Sequence, residues 1–155
     1  MPSGPLTGVR VVDLTGMVMG PYCTQIMADM GADVIKVEPP EGDITRYISV
    51  GPAPGMSGVF VNVNRGKRSI VLDLRADAGT RALRALVETA DVFIHSMRGK
   101  AIAKLGFAYQ DVAAINPATS TPIATGTDVA GPIATGPPTT TRSKLNAACR
   151  RCNSN

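Results

Sequence analysis

Up to Pro117 the chain alternates short runs of β-branched residues with longer segments of helical spacing. Val9, Val11, Val12 and Leu14 form a first apolar run that predicts a buried strand. Gly16 and Gly20 interrupt the pattern, and Pro21 suits the first turn of a helix, where a missing N–H leaves no hydrogen bond unmade. Cys23, Ile26, Met27 and Met30 recur at i, i+3, i+4 and i+7 and predict the buried face of that helix, with Gly31 placed to cap it in a left-handed conformation. Cys23 is therefore expected in the core. Val34, Ile35 and Val37 predict a second strand, and a strand–helix–strand order makes a parallel crossover unit. Its glycine-bearing first turn points backbone N–H groups and a helix N-terminus toward an anion. A βαβ scaffold with no ligand has the same pattern, since the turn carries neither G-x-G-x-x-G nor a P-loop Lys-Ser/Thr.

The same alternation continues. Glu38 to Asp43 is a turn, because Pro39 and Pro40 exclude helix. Thr45 to Gly58, rich in Gly and Pro, is a long loop of the kind that more often carries function than spacing. Val59 to Val63 fits either a short strand or a helical turn, and Asn64 to Ser69 is a polar, basic loop. Ile70, Val71, Leu72 and Leu74 predict a third strand. Asp77 is placed to cap a helix to about Thr89 that buries Leu83, Leu86, Val87 and Ala90. Asp91 to His95 predicts a fourth strand, with His95 read as a strand-end residue rather than a catalyst. A short helix follows from Ser96 to Leu105, stopped by Gly106, and another turn or two from Tyr109 to Ile115. The class is α/β: a Rossmann-like parallel sheet with flanking helices, incomplete as a domain. Ligands of such sheets sit at the carboxyl ends of the strands, here Thr15 to Met19, Glu38 to Asp43, Asp73 to Arg75 and His95 to Arg98.

From Ala118 to Asn155 the grammar changes. This stretch holds eight Thr, six Ala and four Pro, repeats Pro-Ile-Ala-Thr-Gly, and has no apolar period. It is expected to stay disordered, and reads as a translation out of phase with the preceding gene. The net charge of +4 sits mostly in this tail, through Arg142, Lys144, Arg150 and Arg151 against Asp128. Residues 1–117 are thus nearly neutral, which argues against a nucleic-acid face. Cys149 and Cys152 have C-x-x-C spacing, with no second pair and no neighbouring His for a metal site. The absence of a long apolar run and of a charged–apolar–small leader gives the expectation of a soluble, cytoplasmic chain without membrane or metal.

Several stretches carry a family likeness. Gly4-Pro5-Leu6 followed by Gly8-Val-Arg-Val-Val-Asp-Leu-Thr15 resembles the opening of class III CoA-transferases of the formyl-CoA transferase type. So do Gly20-Pro-Tyr-Cys-Thr-Gln25, Met27-Ala-Asp-Met-Gly-Ala-Asp-Val-Ile-Lys-Val-Glu-Pro39, Asn64-Arg-Gly-Lys-Arg-Ser-Ile70, Ala90-Asp-Val92 and Ile115-Asn-Pro117. The likeness spans residues 4–117 and is lost in 118–155. It implies a coenzyme A domain, an intertwined homodimer, and transfer of CoA from an acyl-CoA to a carboxylic acid through an aspartyl-CoA thioester. It places that aspartate beyond Pro117, so no catalytic residue is assigned here and the chain is expected to be inactive alone.

Coenzyme A contacts carried over from the resemblance fall on Val18 and Met19, on Leu72, Asp73, Leu74 and Arg75, on Ser96, Met97 and Arg98, and on Lys104. Arg75, Arg98 and Lys104 are the phosphate partners in this set, since phosphates favour charge-assisted donors. Val18 replaces a residue that is often polar in the family, and Pro39 an Arg present in some members. An acyl-CoA racemase of the same fold, using acid–base chemistry, and a non-catalytic CoA-binding fragment are the alternatives.

Overall fold

In a computed structural model, which describes residues 4–121, four strands form one parallel sheet. They are β1 (Arg10–Leu14), β2 (Asp33–Glu38), β3 (Arg68–Val71) and β4 (Val92–His95), in the order β3-β2-β1-β4. Val12 pairs with Ile35 on one side and Phe93 on the other, so β1 is central. Among the described residues α1 (Met19–Asp29), α2 (Gly58–Asn64) and α3 (Asp77–Glu88) connect successive strands, and α4 (Gly99–Lys104) and α5 (Tyr109–Ile115) follow β4. The Rossmann-like α/β reading therefore holds, and Val59 to Val63 resolves as helix. Ser57 starts α2 because its Oγ accepts the Phe60 amide at 3.1 Å.

Two apolar cores form, one on each face. On one face Val12, Val37 and Phe93 pack with Leu83 and Val87 of α3, Ile102 of α4 and Val112 of α5. On the other, Val11, Val34, Val92 and Ile94 pack with Ala28 of α1. Gly31 ends α1 as expected, at φ 95°, with its amide on the Ala28 carbonyl at 2.9 Å and the Ala32 amide on Met27 at 3.0 Å.

The buried face of α1 differs from the one its periodicity predicts. Gly20, Pro21, Thr24, Gln25 and Ala28 face the sheet, while Cys23, Tyr22, Ile26 and Met30 are exposed. The cause is Asp13, fully buried on that face, whose carboxylate needs donors and finds one in the Thr24 hydroxyl. The third strand also shifts: it ends at Val71, so Leu72 and Leu74 lie in the loop beyond it, and all four of its residues are exposed at the sheet edge. Asp77 is the first helical residue of α3 rather than its cap, which is Ala76. Past Pro117 the pairing continues briefly, with the Ser120 amide on the Asp91 carbonyl and the Phe93 amide on Ser120, each at 2.9 Å. The expectations for residues 122–155, the C-x-x-C pair among them, lie outside the described residues.

Candidate functional site

All four strands run the same way, so their carboxyl ends share one edge. The chain leaves β1 toward β2 and β3, then returns past β1 to β4, which makes the gap between β1 and β4 the point where the strand order reverses. In sheets of this kind the loops part at that point, and a ligand crevice is expected there. The structure holds the two loops flanking it together, the Gly16 amide donating to Ser96 Oγ at 3.0 Å. Met17 takes a left-handed φ of 64° in the first loop. Val18 and Met19 then open α1.

The expected site residues fall on the loops after β1, β3 and β4, with Lys104 apart from them. Val18, Met19, Ser96 and Arg98 are exposed beside the β1–β4 gap. Leu72 is buried in the α3-side core, and Leu74 and Met97 pack against the same core from the two opposite edges of the sheet. Leu72 extends the ladder, its amide on the Glu38 carbonyl at 2.9 Å, and Asp73 Oδ1 accepts the Arg75 amide at 2.9 Å. Asp73 thus shapes its own loop. The Arg98 carbonyl starts α4, accepting the Ala101 amide at 2.9 Å. Lys104 stands apart at the other end of α4, ~9 Å along the axis at the usual rise per residue. Arg75, Arg98 and Lys104 are all exposed and form no ion pair among the described residues.

His95 ends β4 at the β1–β4 gap, 2% exposed, with Nδ1 lacking a hydrogen-bond partner. Burial lowers its pKa from the ordinary 6.5, against a backbone hydrogen bond to Met97 that raises it. The ring is a neutral core group, packed 6.1 Å from Phe93 between centroids.

A polar network on the α1 side was not legible in the sequence. Asp13, Lys36 and Glu38, inward-facing residues of β1 and β2, are all buried. Lys67 Nζ reaches Asp13 at 3.1 Å, the Pro21 carbonyl at 2.8 Å and Asn64 Oδ1 at 2.9 Å, so the expected surface lysine is an interior one. Burial lowers the Lys67 pKa, while the charge and hydrogen bond of Asp13 oppose this. Lys36 Nζ binds the Thr15 carbonyl at 2.9 Å and Asp43 at 2.7 Å, tying the first loop to the turn after β2. Arg46 clasps Glu38 through two nitrogens at 2.6 and 2.7 Å and lies 3.8 Å over the Phe60 ring. Burial alone would raise the Glu38 pKa, but hydrogen bonds from Arg46, Ser69 and the Asp43 amide bring it down to about 2. Lys36, Arg46, Phe60 and Lys67 border a cleft of about 290 Å³. The one signal for this network was charge at alternate strand positions, as in Lys36-Val37-Glu38.

Sheet order and flanking helices together define a Rossmann-like α/β domain whose strand order reverses between β1 and β4. The chain belongs to CoA-transferase family III, which matches residues 6–119. It is 44% identical over 118 residues to a succinyl-CoA:mesaconate CoA-transferase of Haloarcula hispanica, covering 74% of this chain and 30% of that protein. It is 43% identical over 136 residues to an acetyl-CoA:oxalate CoA-transferase of Acetobacter aceti, covering 86% of this chain and 34% of the other, and so reaching past residue 117. A CAIB/BAIF family protein from Brucella suis superposes with a TM-score of 0.77 at 41% identity, covering 84% of this chain and 36% of that one. The chain thus spans about a third of the length of the curated relatives it matches.

Proposed function

We propose that this chain is the coenzyme-A-holding part of a transferase that moves CoA from an acyl-CoA to a carboxylic acid. The observation that carries the reading is the pattern of cations at the carboxyl edge. Arg75 and Arg98 are exposed there, and Lys104 further along α4, without ion-pair partners among the described residues, whereas Lys36, Arg46 and Lys67 are consumed by buried carboxylates. Unpaired Arg and Lys suit the phosphates of coenzyme A. Val18, Met19, Ser96 and Met97 belong to the two loops flanking the β1–β4 gap, and Leu72 to Leu74 to the loop after β3. The CoA thioester is the substrate, and no metal is invoked.

In the complete reaction an aspartate attacks the acyl-CoA carbonyl, the C–S bond breaks, and a mixed anhydride and CoA thiolate result. The thiolate then attacks the aspartyl carbonyl and releases the first carboxylate, leaving aspartyl-CoA for the acceptor acid. None of the buried carboxylates near this edge is free for that attack. Asp13 is held by Thr15, Thr24 and Lys67, Glu38 by Arg46 and Ser69, and Asp43 by Lys36 and Thr45. The chain by itself therefore binds CoA without turning it over.

Calorimetry with CoA tests the binding half. Binding should weaken as salt rises, and Arg98→Ala should weaken it about tenfold, as for loss of one charge-assisted contact. Salt-independent binding would remove the role given to these cations. CoA transfer by the purified chain would overturn the inactive reading.

A further inference from the structure

His95 is a buried group at the β1–β4 gap that the coenzyme A reading leaves unused. It is 2% exposed, and its Nδ1 has no hydrogen-bond partner. Folded proteins seldom leave a buried polar atom unpaired, because its lost hydration is not made good. The ring also sits next to the joint between two loops. His95 stands opposite Leu14 in the ladder, and the next residue, Ser96, accepts the Gly16 amide on its Oγ at 3.0 Å. A shift of the ring therefore reaches that joint through the adjoining peptide units of β4.

Nothing around the ring would hold a positive charge. Side chains alternate between faces along β4, which puts His95 on the side of Phe93, 6.1 Å away between ring centroids. Val12, Leu83 and Val87 line that side. The charged and titratable groups of the elements packed there stand in solvent. On α3 they are Asp77, Arg81, Arg84 and Glu88, all exposed. On α4 and α5 they are Lys100, Lys104, Tyr109 and Asp111, exposed as well. Asp73, Arg75 and Arg98 of the adjoining loops are also exposed. On β1, Arg10 lies at the far end of the ladder, and Asp13 is held on the opposite face by Thr24 and Lys67. His95 itself forms no ion pair among the described residues.

A protonated imidazole in these surroundings would be a buried charge without a counter-ion, which is costly. Water is nearest at the strand end, where Ser96 and Arg98 are exposed. We propose that His95 is a proton-operated latch: when its ring takes up a proton from solvent, it swings toward water, the Ser96–Gly16 joint opens, and the loops after β1 and β4 part. Return of the proton to solvent closes the joint. The device goes beyond the coenzyme A reading and does not depend on it, since it sets how far the gap stands open for any ligand of this edge.

NMR on the full chain tests it, from about pH 7.5 down to about pH 4.5. The imidazole carbon signals report the charge of His95, and the protection of the Gly16 amide against solvent exchange, taken relative to the unstructured rate at each pH, reports the joint. Gly16 protection should fall about tenfold with the same midpoint as the ring, as for one pKa unit between joined and parted states. Val11 and Val12 should keep their protection through that step. His95→Phe and His95→Gln should each hold Gly16 protection constant over the range, and the wild-type titration decides the matter even if neither variant folds. The latch is overturned if the ring titrates and Gly16 stays protected, or if the ring stays neutral until the chain unfolds. Parallel loss at Gly16, Val11 and Val12 would mean global unfolding rather than a latch, and an unaltered Gly16 profile in a folded His95 variant would place the titrating group elsewhere. Either result also overturns the proposal.

Discussion

Glu38, Asp43 and His95 are buried groups whose shifted pKa values couple the fold to acid, Glu38 and His95 in opposite senses of charge. Glu38 keeps its charge inside the fold because Arg46, Ser69 and the Asp43 amide hold it, and its pKa falls to about 2 from 4.5. A depressed carboxylate stabilises the fold above its unfolded pKa and loses that contribution as the pH drops toward its folded one. His95 is a base with a lowered pKa, so the folded state resists its protonation and stability falls as the pH drops below 6.5. Acid should thus act in two windows. Urea unfolding from pH 7 to pH 2 should show a decline starting near 6.5 that His95→Phe flattens. A second decline, below 4.5, should be shallower in Glu38→Gln. An unchanged profile in both variants would contradict these assignments. Lys67 shows the limit of reading a residue by type: basic and in a polar loop, it nevertheless donates into the interior, because Asp13 lies beneath it.

At the scale of elements, α1 and α3 approach the sheet in different ways. α3 buries Leu83 and Val87 as its spacing predicts. α1 buries small and polar residues, because Asp13 and the close approach at Gly20 leave no room for Ile26 or Met30. Close approach also governs the joint between α3 and the loop before it. A Cβ at Gly79 would collide with the Asp73 carbonyl, which is backbone and cannot swing aside. Gly79→Ala should therefore destabilise the fold by about 1–3 kcal/mol, the usual cost of overpacking. It should also shift the 72–75 loop and weaken coenzyme A binding. Chemical denaturation and calorimetry on the same variant check both. Wild-type stability in Gly79→Ala would mean that the α3 joint has slack.

The whole molecule is layered, with its sheet most protected at the centre. β1 has hydrogen-bonded neighbours on both sides and helices over both faces, whereas β3 is an edge strand with all four residues exposed. Amide exchange should follow that order, slow in Val11 and Val12, and markedly faster in Ser69 and Ile70. Equal protection would mean that something covers the β3 edge in solution, as native sheets often arrange. The helices among the described residues include none long and apolar enough to cross a membrane.

The linear chain by itself determined most of the strands and helices, because apolar spacing and Gly–Pro punctuation are local properties. Val9 to Leu14, Gly31, Asp77 to Glu88 and Tyr109 to Ile115 could all be read that way. Its motifs also carried the family, since six stretches in register leave few alternatives. Tertiary structure alone decided the outward face of α1, the helical state of Val59 to Val63, and the pairing of Asp13 with Lys67 and of Lys36 with Asp43. It also decided that Ser96 meets Gly16 across the β1–β4 gap. The physical reason is separation along the chain. Asp13 and Lys67 become neighbours only when β1 and the α2–β3 turn share one face of the sheet. A buried charge then selects which helix side faces it, overriding the apolar period that a sequence displays.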